Sequence, residues 1–161
     1  MTTFIKFDYA GISLMIAGSS TPPIYYAFSC PELRFWQLSY LGLVYFLSSI
    51  TIVLILFPYF NRDDMYAFRA AAYVLTGLSA IFPVSHVVFF LEPHFMQDFH
   101  LYAWVIGSMF YMIGASIYVT RFPEKCCPCH FDIVGQSHQL FHICIVLGAL
   151  SHYYASMQIF H

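Results

Sequence analysis

Residues 137–160 read SHQLFHICIVLGALSHYYASMQIF, a run without a single Asp, Glu, Lys or Arg. As a helix rising about 1.5 Å per residue, such a run covers the roughly 30 Å hydrocarbon core of a bilayer. It opens with two histidines four positions apart, His138 and His142. A chain that puts imidazoles at the mouth of its apolar segment uses them either as polar punctuation or as ligands.

Working outward, the same pattern recurs. Charges are missing between Asp8 and Glu32, Arg34 and Arg62, Arg69 and Glu92, Asp98 and Arg121, and from Asp132 to the end. Each gap is about the length a membrane helix needs, so five spans are expected, at about 9–29, 36–59, 68–91, 99–120 and 136–159. Composition agrees: 60% of residues are hydrophobic and 9% charged, against about 25% charged in soluble domains. Mean hydropathy is +0.71. Lipid cannot satisfy free backbone groups, and the alternation of a β-barrel is missing, so the spans are read as helices of an all-α membrane protein. They form one transmembrane domain over 1–161. With six Lys and Arg in all, a nucleic-acid surface is excluded.

The first span is the least apolar, and Pro22 and Pro23 are expected to kink it; Pro83 should bend the third. The N-terminal TTFIKFDYAG is not read as a signal peptide, because it lacks a separate apolar core and cleavage site. Alternation of five helices puts Lys6, Arg62, Arg69, Arg121 and Lys125 on one side and Arg34 on the other. That bias predicts a cytoplasmic N-terminus and an extracytoplasmic C-terminus, in a plasma or internal membrane. Tyr25, Tyr26, Phe35, Trp36, Tyr59, Phe60, Tyr153 and Tyr154 fall near span ends, as interfacial aromatics do. Two glycine pairs spaced by seven, Gly11 with Gly18 and Gly107 with Gly114, either allow close helix approach or reflect ordinary glycine usage.

Chemistry is concentrated in few places. Residues i and i+4 are neighbours on a helix, so His138 and His142 can reach one ion at about 2.0–2.1 Å. The spacing alone does not specify a metal; interfacial histidines bonded to carbonyls would show it too. Asp8 stands at the entrance of the first span, and the first and fifth spans run in the same direction. Asp8, His138 and His142 therefore lie at one membrane depth and can converge. The alternative for Asp8 is a helix N-cap. His152 is about 15 Å further along the helix axis, too far to share an ion with the pair. His86 follows the Pro83 kink and is expected to bond a freed carbonyl. CCPCH, residues 126–130, lacks the paired C-x2-C arms of zinc sites. Its cysteines Cys126, Cys127 and Cys129 are read as loop residues or acylation candidates. With Cys30 and Cys144 they suggest no disulfide. Neither G-x-S-x-G nor a Gly-rich phosphate loop is present.

Two stretches carry a resemblance. DYAGISLMIAGSSTPPIYYAFSC is similar to the segment opening the third helix of the progestin and adiponectin receptor family, which includes haemolysin III-like proteins. IYVTRFPEKCCPCHFDIVGQSHQLFHICIVLGALSHYYA, with its R-x-P-E turn, F-D-I and S-H-Q-x-F-H, resembles the end of the sixth helix, the loop and the seventh helix, closest to the adiponectin-receptor-like branch. The resemblance implies that the five spans correspond to helices three to seven of a seven-helix bundle. It also implies zinc near the cytoplasmic face, with ligands matching His138 and His142, an aspartate matching Asp8 that holds the zinc-bound water, and amide hydrolysis of ceramide-like lipids. The family's third histidine comes from a helix before the D-Y-x-G segment, and no histidine here stands in that position. On this reading the site is incomplete and zinc binding is weakened. The alternative is a catalytically inactive receptor or scaffold subunit; a channel or transporter piece ranks below both, since no charge lies mid-span. Expected partners are membrane lipid, a lipid or hormone ligand, and further copies of the chain or additional helices.

Overall fold

The computed structural model describes residues 3–90, 101–127, 131 and 134–159. Among these residues the fold is helical throughout. Its helices are α1 (Thr3–Ala27), α2 (Arg34–Leu56), α3 (Tyr66–Leu78), α4 (Ile81–Phe90), α5 (Leu101–Thr120) and α6 (Ser137–Ile159), with short 3-10 turns in the connections. Among the described residues, four stretches are long and apolar enough to cross a membrane: Pro31–Leu56, Tyr66–Phe90, Leu101–Thr120 and Ser137–Gln158. The 25 residues of α1 match them in length, but its Gly18–Pro23 stretch is polar.

The packing is that of a protein dissolved in lipid. On α2 the buried residues include Gln37, Ser48 and Thr51, while Phe35, Leu38, Phe46 and Val53 are exposed. In water that arrangement would be inverted; in a bilayer the apolar rim faces acyl chains and polar side chains bond between helices. Gln37 donates to the Tyr25 carbonyl at 2.6 Å, tying α2 to α1. Thr51 and Thr76 hydroxyls meet at 3.0 Å between α2 and α3. Ser151 donates to the Ala103 carbonyl at 2.8 Å between α6 and α5.

The third apolar stretch is two helices. Pro83 has no N–H for the Ser79 carbonyl and its ring crowds that group, so the chain breaks at Ser79 and Ala80, one turn ahead of the proline. The expected bend is thus a break displaced N-terminally. Across Pro22 and Pro23, in contrast, α1 remains helical. His86 finds a different partner from the expected carbonyl: its Nδ1 lies 2.8 Å from the Tyr40 hydroxyl, within a ring of Phe28, Trp36, Tyr40 and Phe90.

The two glycine pairs separate. A methyl on Gly107 would lie 2.3 Å from His152 Cδ2 and 2.9 Å from the Gly148 carbonyl oxygen; one on Gly114 would lie 2.8 Å from Cys144 Cβ. These glycines let α5 and α6 touch backbone to backbone. Gly11 and Gly18 have nothing within 4 Å of a built methyl. His152 is a core histidine, its Nε2 donating to the Trp104 carbonyl at 3.1 Å.

Two apolar layers form the core. One gathers Ala17, Ile24, Phe28, Val44, Val87 and Trp104. The other gathers Tyr9, Ile12, Ile55, Tyr73, Phe141 and Ile145 and underlies the end of the bundle where α1, α3 and α6 begin and α5 finishes. At that end Arg69 is buried. It donates to the Phe60 carbonyl at 2.8 Å and the Arg62 carbonyl at 2.9 Å, and its guanidinium lies 5.2 Å from the Tyr9 ring centre.

Candidate metal centre

At this same end α1 and α6 meet. Because α1 starts at Thr3, Asp8 lies in the second turn, past the positions where an N-cap acts, and its carboxylate points to α6 instead. Oδ2 is 3.1 Å from His138 Nε2, Oδ1 is 3.2 Å from His142 Nε2, and the two Nε2 atoms are 3.0 Å apart. The three side chains are about one third exposed, so the centre opens toward the end of the bundle. The sequence-predicted trio is therefore brought together, and His152 and His86 stand apart from it.

The donor atoms have the dimensions of a chelate. A tetrahedron built on metal–ligand distances of about 2.0–2.1 Å has edges of about 3.3–3.4 Å. The Nε2 atoms are 3.0 Å apart, each lies 3.1–3.2 Å from a different oxygen of Asp8, and one donor atom from each residue lies within 4.8 Å of the other two. Asp8, His138 and His142 are the one such group of metal-ligating side chains found among the described residues. The donor set, two imidazoles and a carboxylate, matches in kind the two-His-one-carboxylate set of catalytic zinc sites. Aromatic rings wall it: Tyr118 lies 5.8 Å and Tyr9 6.3 Å from the His138 ring, and Phe141 5.5 Å from His142.

Every polar residue of SHQLFH has a task. Ser137, the first helical residue, gives its N–H to Glu124 Oε2 at 2.6 Å and its hydroxyl to Glu124 Oε1 at 2.5 Å. Gln139 Oε1 accepts the Gly135 N–H at 2.8 Å. Gly135 is itself required: its φ is +83°, and a side chain there would meet the Phe131 ring at 2.9 Å. The R-x-P-E turn closes one helix and starts the next. Arg121 takes a left-handed conformation, φ 52°, with Phe122 N–H donating to the Ile117 carbonyl and Arg121 N–H to the Tyr118 carbonyl, a Schellman end. The guanidinium of Arg121 stacks 4.3 Å from the Tyr66 ring centre. Glu124 then reaches across to α6. Partial burial pushes the Glu124 carboxyl upward, but the Ser137 bonds and the Arg121 charge outweigh it and hold the group below its usual value. Sequence reading missed this residue as a partner of α6; its only signal was its place in the R-x-P-E turn.

Cys126 and Cys127 are exposed free thiols on this connection, and Cys30 is exposed after α1. The remainder of CCPCH, residues 128–130, and Asp132 lie outside the described residues.

An apolar cavity of about 580 Å³ lies beside the centre, bordered by α1, α3, α4, α5 and α6. Its wall includes Ile12, Tyr73, Trp104, Met109, Phe141 and Ile145. Phe141 faces the histidine pair and the cavity at once, so the centre and the cavity are one side chain apart.

A family model described as haemolysin-III related matches residues 1–153. The chain is 39% identical over 156 residues to heptahelical transmembrane protein ADIPOR3 of Oryza sativa subsp. japonica, covering 95% of this chain and 38% of that protein. It is 41% identical over 150 residues to heptahelical transmembrane protein 3 of Arabidopsis thaliana, covering 92% and 43%. With progestin and adipoQ receptor-like protein 1 of Caenorhabditis elegans it shares 40% identity over 152 residues, covering 94% and 35%. The chain thus spans about two fifths of the length of these relatives.

Proposed function

The chain belongs to the haemolysin-III related family, and from that premise we propose that its Asp8–His138–His142 centre holds zinc and serves the hydrolysis of a ceramide-like lipid amide at the cytoplasmic face of the membrane. The observation that carries this reading is the convergence of two imidazole nitrogens and a carboxylate, 3.0–3.2 Å apart, next to an apolar cavity. Bound zinc supplies Lewis acidity, which polarises a carbonyl and makes water a nucleophile at neutral pH. His138 and His142 hold the ion through Nε2. Asp8 would complete the donor set and would hold the attacking water and accept its proton. The cavity, within the roughly 300–1,000 Å³ typical of small-molecule sites, takes the acyl chain. Phe141 lies where chain and headgroup meet.

A receptor or scaffold subunit without hydrolysis is the second reading. It is favoured by the relatives' names, which speak of heptahelical transmembrane proteins and a receptor-like protein.

Zinc content separates the two. The chain is purified in detergent, stripped of loosely held metal and assayed for zinc beside the His138→Ala/His142→Ala double variant. Measurable zinc in wild type and none in the variant is expected. Equal, negligible zinc in both sinks the hydrolase reading for this chain.

A further inference from the structure

We propose that Glu124 is the positioning residue of the metal centre: its carboxylate clamps Ser137 and so fixes the first turn of α6, on which His138 rides. This rests on the reading of Asp8, His138 and His142 as a metal centre.

The first turn of a helix is its loosest, since its N–H groups have no intrahelical partners. His138 stands there, one residue into α6. The i, i+4 chelate exists only while that turn is helical, because only then do the two rings face each other. Two contacts hold it. Gln139 closes back on the Gly135 N–H at 2.8 Å, a local tie within the same segment. Glu124 comes from outside it, 13 residues earlier, and engages both the amide and the hydroxyl of Ser137. A carboxylate at a helix N-terminus also opposes the positive end of the helix dipole.

Glu124 is itself fixed. Its turn is closed by Lys125 N–H to the Arg121 carbonyl at 2.9 Å and Cys126 N–H to the Pro123 carbonyl at 2.9 Å, and it is anchored by Arg121 on Tyr66. The end of α5 therefore sets the start of α6. Tyr118, on the last turn of α5, lies against the His138 ring, so both contacts from this side converge on one ligand. Ser137 is buried, 4% exposed.

The test uses Cu(II) as probe, because copper binds paired imidazoles strongly and its EPR spectrum carries the nitrogen couplings of the ligands. The whole chain in detergent is titrated with Cu(II). Wild type is compared with Glu124→Ala, Glu124→Gln, His138→Ala/His142→Ala and Ser151→Ala. The last loses one α5–α6 hydrogen bond at the far end of α6, and controls for general destabilisation. Glu124→Ala is expected to weaken the two-imidazole copper site about tenfold, the scale of outer-shell losses at metal sites. Glu124→Gln, which keeps an acceptor for the amide, recovers part of the affinity, and Ser151→Ala keeps wild-type affinity. Unchanged affinity in Glu124→Ala, an equal loss in Ser151→Ala, or copper binding that survives removal of both histidines overturns the proposal. Zinc content is measured in parallel. A zinc-free wild type that still shows the Glu124-dependent copper site overturns the zinc reading above and supports this one.

Discussion

His138 and His142 are useful as a pair because of the residues interleaved with them. Ser137 is held by Glu124, Gln139 by Gly135, and Phe141 packs inward at 5% exposure. Spacing put the two imidazoles side by side without specifying a metal, and helix direction put Asp8 at their depth without excluding an N-cap. Glu124 was not legible, because a cap reaching across an irregular connection leaves no periodic trace. Its carboxyl gives a pH test. The folded value lies below the ordinary 4.5, so its stabilising contribution is fully present above that value and is lost as pH falls through the folded one. Thermal unfolding in detergent from pH 7 to 3 is therefore expected to show wild type more stable than Glu124→Gln at neutral pH. The two should draw together as pH falls through the lowered folded value. A constant difference across the range counts against the clamp.

At the scale of helices, charge-free gaps revealed where apolar segments lie because each charge in hydrocarbon is costly. Hydropathy could not locate the start of α1, since a helix continues through polar residues that face protein or an opening. Nor could it show that Arg69 turns inward to carbonyls. The glycine pairs looked alike in sequence and differ in surroundings, which only packing reveals. Substitution exposes the difference. Gly107→Ala drives a methyl into His152 and the Gly148 carbonyl and is expected to cost about 1–3 kcal/mol. Gly11→Ala meets open space and should be neutral or stabilising by up to about 1 kcal/mol from helix propensity. Unfolding midpoints measured side by side check the pair; similar losses at both would contradict the close α5–α6 contact.

For the whole molecule, the exposed thiols mark opposite ends of the bundle. Cys126 and Cys127 follow α5 at the metal-centre end, and Cys30 follows α1 at the other. From the excess positive charge at the first end we propose that it faces the cytoplasm. A membrane-impermeant maleimide applied to intact cells should then label Cys30, and label Cys126 and Cys127 only after permeabilisation; the opposite pattern would reverse the orientation. The centre also joins residues far apart in sequence: Asp8 and His138 are 130 residues apart. During synthesis at about 5–20 residues per second, on the order of ten seconds separates the appearance of the carboxylate from that of its first imidazole. Asp8 enters the bilayer long before its partners exist, and the three side chains meet only once α6 lies beside α1. The meeting of the three side chains thereby reports that α6 has been inserted beside α1, a docking that neither helix signals alone.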